Sequence, residues 1–153
     1  MTEEATVLIV DDFEDNRTMY AEFFKLSGYT VVEAADGLEA VQKATSFAPD
    51  VVVMDLSLPL LDGWEATRRL KRDSRTRHIP IVVLSGHALE GHWQSAREAG
   101  CDGFLAKPCL PETLLETVRQ VLAGMCFPAG EPMRDGQIAP HRRGRGSDDA
   151  QNE

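Results

Sequence analysis

The chain has no apolar run near the roughly 18 to 20 residues that cross a bilayer, so no membrane-spanning helix is expected. Its start, Met1-Thr2-Glu3-Glu4-Ala5, is acidic, and the apolar stretch Val7 to Val10 is four residues long. A secretory signal needs a basic start and a longer apolar segment, so the expected location is cytoplasmic. Cysteine is scarce. Cys101, Cys109 and Cys126 are odd in number and have no CxxC spacing, which argues for free, partly buried thiols over a disulfide framework or thiolate metal site. Positive charge is also short, at 16 Lys+Arg against 25 Asp+Glu and a net −9. A general nucleic-acid binder needs a basic face, so neither direct nucleic-acid binding nor a membrane partner is expected. Walker and dinucleotide glycine motifs are missing. Asp12-Phe13-Glu14-Asp15, after the first apolar run, would repel the phosphate that a flavodoxin-like cofactor brings.

What is present is one domain's worth of chain, 153 residues with 42% hydrophobic content. Composition shifts near Phe127. The last 27 residues hold four Gly and three Pro with no apolar periodicity, and their four Arg against five acids give −1. The expected division is a folded domain at 5–124 and a disordered tail at 125–153 with no output domain. Residues 1–126 therefore carry the remaining −8. Arg142-Arg143-Gly144-Arg145 reads as solvated linker.

Within the domain, short apolar runs alternate with helix-period segments. Strands are expected at Val7 to Val10, Thr30 to Glu33, Val51 to Met54, Ile79 to Leu84 and Gly103 to Ala106. The first, third and fourth lack the polar alternation of a half-exposed strand, which suits burial on both faces of a parallel sheet. Helical stripes are expected from Met19, Tyr20, Phe23, Phe24 and Leu26, closed by Gly28, and from Leu38, Val41, Ala44 and Phe47. Trp64 and Leu70 lie on a third helix, residues 90 to 99 form a fourth, and Leu114, Leu115, Val118, Val121 and Leu122 mark a fifth. Five strand-helix pairs in strict alternation predict a doubly wound α/β domain with a five-stranded parallel sheet.

In such a sheet the C-terminal strand ends share one rim, where ligands bind. The first run ends in Asp11-Asp12, the third in Asp55, the fourth in Ser85 and the fifth in Lys107-Pro108. Three carboxylates, a hydroxyl and an ammonium would meet there. Two carboxylates 4 Å apart repel by about 4 kcal/mol at an effective dielectric of 20. Three with one lysine call for a cation, and all-oxygen ligands favour Mg²⁺ over Zn²⁺. A carboxylate beside Mg²⁺, Lys and Ser suits attack on a phosphoryl group. Taken singly, Asp-Asp after a strand is more often a turn or a helix N-cap. The set on four strands makes the case.

Val7-Leu-Ile-Val-Asp-Asp12, Met54-Asp-Leu-Ser-Leu-Pro-Leu-Leu-Asp-Gly63, Leu84-Ser-Gly86 and Phe104-Leu-Ala-Lys-Pro108, with their spacing, resemble the receiver domain of two-component response regulators. The resemblance runs from about Thr6 to Leu122. It implies a CheY-like, flavodoxin-like sheet of order 2-1-3-4-5 with five helices. It implies that Asp55 accepts a phosphoryl group from a phosphohistidine on a sensor histidine kinase or histidine phosphotransfer protein. Asp11 and Asp12 resemble the metal-holding acids, and the main-chain carbonyl of Ser57 would complete the protein's share of the Mg²⁺ shell beside Asp55. Ser85 matches the hydroxyl residue that turns toward the phosphoryl group and Lys107 the lysine that pairs with it. The Lys107-Pro108 bond would be cis.

By the same resemblance, Phe104 matches the aromatic that moves into space left by Ser85 and reports the state on the fourth-helix, fifth-strand, fifth-helix face. Phe lacks the hydroxyl of the family's common Tyr. Ser57 and His87 fall where the family tunes access of hydrolytic water, and His87 could add pH dependence near neutrality. His78 and His92 read as surface residues, and Trp64 and Trp93 as packing. The expected function is a stand-alone phosphorelay receiver, not an enzyme beyond its own phosphorylation and dephosphorylation. It would act on an unknown downstream protein, as a monomer or a phosphorylation-dependent dimer. The alternatives are a phosphorylation-independent interaction module, which usually lacks the acceptor or the lysine, and an Asp phosphatase, whose Asp-x-Asp signature is missing here.

Overall fold

The structure, a computed structural model, describes residues 5–56, 58–86, 98–126 and 141–142. Five parallel strands form one sheet: β1 Thr6–Val10, β2 Thr30–Ala34, β3 Val51–Asp55, β4 Ile81–Ser85 and β5 Gly103–Ala106, in the order β2-β1-β3-β4-β5. The helices between and after them are α1 Glu14–Leu26, α2 Gly37–Phe47, α3 Gly63–Arg72 and α4 Pro111–Leu122. The sequence-expected fifth helix is thus α4. The expected fourth, residues 90 to 99, lies outside the described residues except for Glu98 and Ala99.

Side-chain alternation explains why the central strands read as unbroken apolar runs. Val7 and Ile9 of β1, Val51 and Val53 of β3, and Val82 and Leu84 of β4 face α1 and α4. Leu8 and Val10, Val52 and Met54, and Ile81 and Val83 face α2 and α3. Each parity has its own core, so no position on these strands can be polar until the strand ends. Register fixes where the ends fall: Val10 pairs with Met54, Asp55 with Leu84 and Ser85 with Ala106.

The helices differ from the apolar stripes in detail. On α1 the buried residues are Tyr20, Ala21 and Phe24, while Met19 and Leu26 are exposed. At 100° per residue, Leu26 stands about 200° from Phe24 and cannot share its face. On α2, Ala40 and Ala44 are buried in the core and Gly37 against the Leu61 backbone, while Leu38 and Phe47 face solvent. Small residues at this spacing let the helix lie close, and a hydrophobicity pattern underweights them. Strand β4 begins at Ile81 rather than Ile79, because Pro80 has no N–H for the ladder. Ile79 is still buried in the core. Trp64 of α3 is half-buried against that core, and Trp93 lies outside the described residues.

Local chemistry sets the helix starts. Asp36 Oδ1 accepts from Glu39 N–H at 2.7 Å, and Glu39 Oε1 accepts from Ala35 N–H at 2.8 Å. Asp62 Oδ1 caps α3 by accepting from Glu65 N–H at 2.9 Å. Pro111 occupies the first turn of α4. Helix α2 ends on Ala48, an exposed alanine with φ 47° and ψ 58°. That left-handed conformation costs any residue with a Cβ. Ala48→Gly should therefore raise stability by about 1 kcal/mol, read as a higher urea midpoint with an unchanged slope.

Past α4, Met125–Cys126 and His141–Arg142 pair as two-residue antiparallel strands. The rest of the segment expected as a tail lies outside the described residues. Among the described residues no helix is long and apolar enough to cross a membrane. Cys101 and Cys109 are half-buried and form no disulfide among the described residues. Burial pushes both thiols up, Cys109 to about 11.

Candidate functional site

The C-terminal rim gathers the strand-end residues. Asp11 follows β1 and is 2% exposed, Asp55 ends β3 at 3%, and Asp12 stands exposed at the mouth. One carboxylate oxygen from each of the three lies within 4.8 Å of the others. Ser85 ends β4 and is buried. Lys107 follows β5, and its N–H donates to the Ser85 carbonyl at 2.7 Å, which locks the two strand ends together. Its ammonium donates to Asp55 Oδ1 at 2.8 Å and stands 3.9 Å from Asp11 Oδ2, too far for a hydrogen bond. The Lys107-Pro108 peptide is cis. Phe104 is buried in the core on the α2–α3 side, opposite Val83 in register. Ser57 and His87 lie outside the described residues, as does His92, while His78 is exposed at the far end of the sheet.

Charge at this rim is unbalanced. Three carboxylates face one ammonium. Burial pushes the Asp55 carboxyl above its ordinary value; Lys107 pulls it back through its hydrogen bond and charge, and Asp11 and Asp12 add to the rise. Asp11 Oδ2 is buried and has no hydrogen-bond partner among the described residues. A buried, unpaired carboxylate oxygen is costly unless something cationic meets it. The donors are all hard oxygens, so the set fits a divalent cation of the Mg²⁺ type. Asp55 is the one of the three acids that Lys107 meets at hydrogen-bond distance.

The supporting residues are less visible in the sequence. Gly63 begins α3 directly behind Asp55: a Cβ there would collide with the Asp55 carbonyl oxygen and with Leu56 Cα. Gly63 N–H donates to Leu56 O at 3.1 Å, and Leu56 N–H to Leu84 O at 3.1 Å, so the loop after Asp55 is pinned at once to α3 and β4. Tyr20 of α1 donates its hydroxyl to Cys109 O at 2.7 Å, tying the Lys107–Cys109 turn to the first helix. Burial, with Cys109, Asp11 and Asp55 nearby, pushes that phenol up to about 12. Arg17 Nη1 donates to Asp11 O at 2.8 Å. Tyr20 showed only as an apolar stripe member and Arg17 gave no signal, since each acts through a main-chain carbonyl that no local sequence pattern marks.

Residues 7–119 match the response regulator receiver domain family. The chain belongs to that family. This receiver is 34% identical over 117 residues to the polar-differentiation response regulator DivK of Brucella anthropi, covering 76% of this chain and 95% of the relative. Among solved structures it is similar to the chemotaxis response regulator CheY4 of Vibrio cholerae, with 35% identity, a TM-score of 0.74 and coverage of 78% and 99% of the two chains. It is also similar to the receiver domain of a sensor histidine kinase from Pseudomonas aeruginosa, with 32% identity, a TM-score of 0.73 and coverage of 79% and 99%. That relative is described with a magnesium ion coordinated in its active-site cleft. The sheet order and alternating helices of this receiver are those of the CheY-like fold. Receivers of this kind work with histidine kinases or phosphotransfer proteins.

Proposed function

We propose that Asp55 accepts a phosphoryl group from a phosphohistidine on a sensor histidine kinase or histidine phosphotransfer protein. The reaction requires Mg²⁺, the working unit is residues 5–124, and the setting is the cytoplasm. The observation that carries this reading is a buried Asp55 carboxylate on the Lys107 ammonium at 2.8 Å, beside an Asp11 oxygen with no partner among the described residues. Asp11, Asp12 and Asp55, with the main-chain carbonyl of Ser57 that the resemblance implies, would hold Mg²⁺, which would supply positive charge to offset the phosphoryl oxygens. The magnesium of the Pseudomonas relative supports that choice of ion.

An Asp55 carboxylate oxygen attacks phosphorus, the bond from phosphorus to the imidazole nitrogen breaks, and its electron pair leaves with the imidazole. Lys107 keeps Asp55 ionised against its burial and then offsets charge on the transferred group. The acyl phosphate replaces one negative charge by roughly two and adds strong acceptors. Ser85 donates its hydroxyl to a phosphoryl oxygen, and Lys107 draws in with it because the two share a backbone hydrogen bond. Phe104, on the same side of the sheet as Ser85, turns into the space this leaves. A downstream protein reads the change on the face that includes β5 and α4. Exposed Phe13, Met19 and Leu110, in or beside the loops around the acids, suit contact with the donor protein.

With Mg²⁺ and acetyl phosphate, intact-mass spectrometry should find one labile phosphoryl group, absent in Asp55→Asn and in EDTA. No adduct, or an equal adduct in Asp55→Asn, would overturn the proposal in favour of an interaction module that works without phosphorylation.

A further inference from the structure

Asp11 has four hydrogen-bonding groups, and three are committed. Its N–H donates to Ala34 O of β2 at 3.1 Å. Its Oδ1 accepts from Phe13 N–H at 2.9 Å, and its carbonyl accepts from Arg17 Nη1 at 2.8 Å. The fourth group, Oδ2, is the buried oxygen with no partner among the described residues, in the cluster with Asp12 and Asp55. We propose that Arg17 is a positioning residue: by clamping the Asp11 carbonyl it fixes the turn that aims Oδ2 at the other two acids.

The guanidinium is itself held. Its Nε donates to Glu33 Oε1 at 3.0 Å, and the Arg17 side chain is only 17% exposed. Glu33 precedes Ala34, the residue whose carbonyl takes the Asp11 N–H. Lys43 of α2 fixes the Glu33 carbonyl by donating to it at 2.7 Å. Arg17 N–H donates to Phe13 O at 3.0 Å, so the first turn of α1 carries the clamp. One planar fork thus joins α1, the Asp11 turn and β2. Two donors in a rigid plane can meet a carbonyl and a carboxylate together, whereas a lysine supplies one mobile ammonium for both. Groups that orient metal ligands typically change metal affinity 10- to 100-fold when removed.

The inference rests on the proposed cation and phosphoryl site, and two readouts separate the failures. The first needs no metal: amide exchange at Phe13, whose N–H is held by Asp11 Oδ1, should accelerate at least tenfold in Arg17→Ala, while Val53 in the sheet centre stays protected. The second is calorimetric Mg²⁺ affinity of the full chain, expected to weaken about tenfold in Arg17→Ala and less in Arg17→Lys. Glu33→Ala should move both readouts in the same direction, and the double variant should fall short of the summed effects. Unchanged Phe13 exchange in Arg17→Ala overturns the positioning role, whether or not Mg²⁺ binds. Lower thermal stability with unchanged Mg²⁺ affinity also overturns it, since a merely structural ion pair would do that. Faster Phe13 exchange in a chain whose wild type binds no Mg²⁺ upholds the clamp and removes the cation reading instead.

Discussion

Lys107→Ala should slow phosphoryl uptake by on the order of 100-fold, the usual loss when one preorganised donor is removed from developing charge. The structure gives two reasons, and both act through the 2.8 Å contact with Asp55 Oδ1. First, among the described residues the ammonium is the side-chain cation in direct contact with Asp55, so no neighbouring side chain replaces it. Second, it counters the burial that pushes the Asp55 proton affinity up. In the metal-free protein, removing it leaves burial, Asp11 and Asp12 to push the carboxyl further up, so Asp55 holds its proton to higher pH. The Asp55 carboxyl should titrate at higher pH in Lys107→Ala than in the wild type, read by carboxyl-carbon NMR of the metal-free proteins across a pH series. The stability sign follows. A carboxyl whose folded-state value is raised contributes stability below its unfolded value and loses it as pH rises through the folded one. Lys107→Ala should therefore lose most stability near neutrality and least in acid. Lys107→Arg keeps the charge but not the compact ammonium geometry, and should recover the pH profile more fully than the rate.

Such a test is possible because much of this site could be read without coordinates. Asp55 and Ser85 were legible as the first polar residues after runs that have no polar alternation. That pattern arises because β3 and β4 are covered on both faces, so polarity can return only at the rim. Asp11-Asp12 and Lys107 followed by the same logic, and their motif spacing named the family. The helices were less legible. Met19, Leu26, Leu38 and Phe47 looked like core and are exposed; Ala44 and Leu70 were read from the sequence and are buried, but Ala40 and Ala66, buried beside them on α2 and α3, were not. Large apolar residues dominate a periodicity reading, and small ones packed where a helix lies close are underweighted. Arg17 escaped for another reason: its partners are a carbonyl six residues away and a carboxylate sixteen away, and no local pattern encodes them. Gly63 was visible as part of a motif, but its cause, the Asp55 carbonyl behind it, is a contact only the fold supplies.

The same limit applies at the opposite rim, where the largest expected stability effect lies. Lys71 at the end of α3 donates to Asp102 Oδ2 at 3.0 Å, to Ile79 O at 2.8 Å and to Arg77 O at 3.3 Å. Asp102 returns to β4, accepting from Ile81 N–H at 2.9 Å through Oδ2 and donating its own N–H to Ile81 O at 2.7 Å. The side chains are 19% and 12% exposed, so this is a mostly dry pair and not a screened surface bridge. It joins the end of α3, the turn after it, and the starts of β4 and β5. Deleting one partner takes the opposite charge away from a mostly buried group, and breaking such a pair from one side is costly. Lys71→Ala should cost about 3 kcal/mol, since it also strips a donor from the Ile79 carbonyl. Asp102→Ala should cost a similar amount, and the double variant clearly less than the sum, because both deletions remove the same contact. Urea midpoints of the four proteins give the coupling directly. Additive losses would mean that water satisfies each group separately. The pair sits at the strand starts and Asp55 at a strand end, so folded Lys71→Ala should still take up one phosphoryl group at the wild-type rate. Stability and chemistry then separate along the length of β4: Ile81 at its start depends on Lys71 and Asp102, and Ser85 at its end on Lys107.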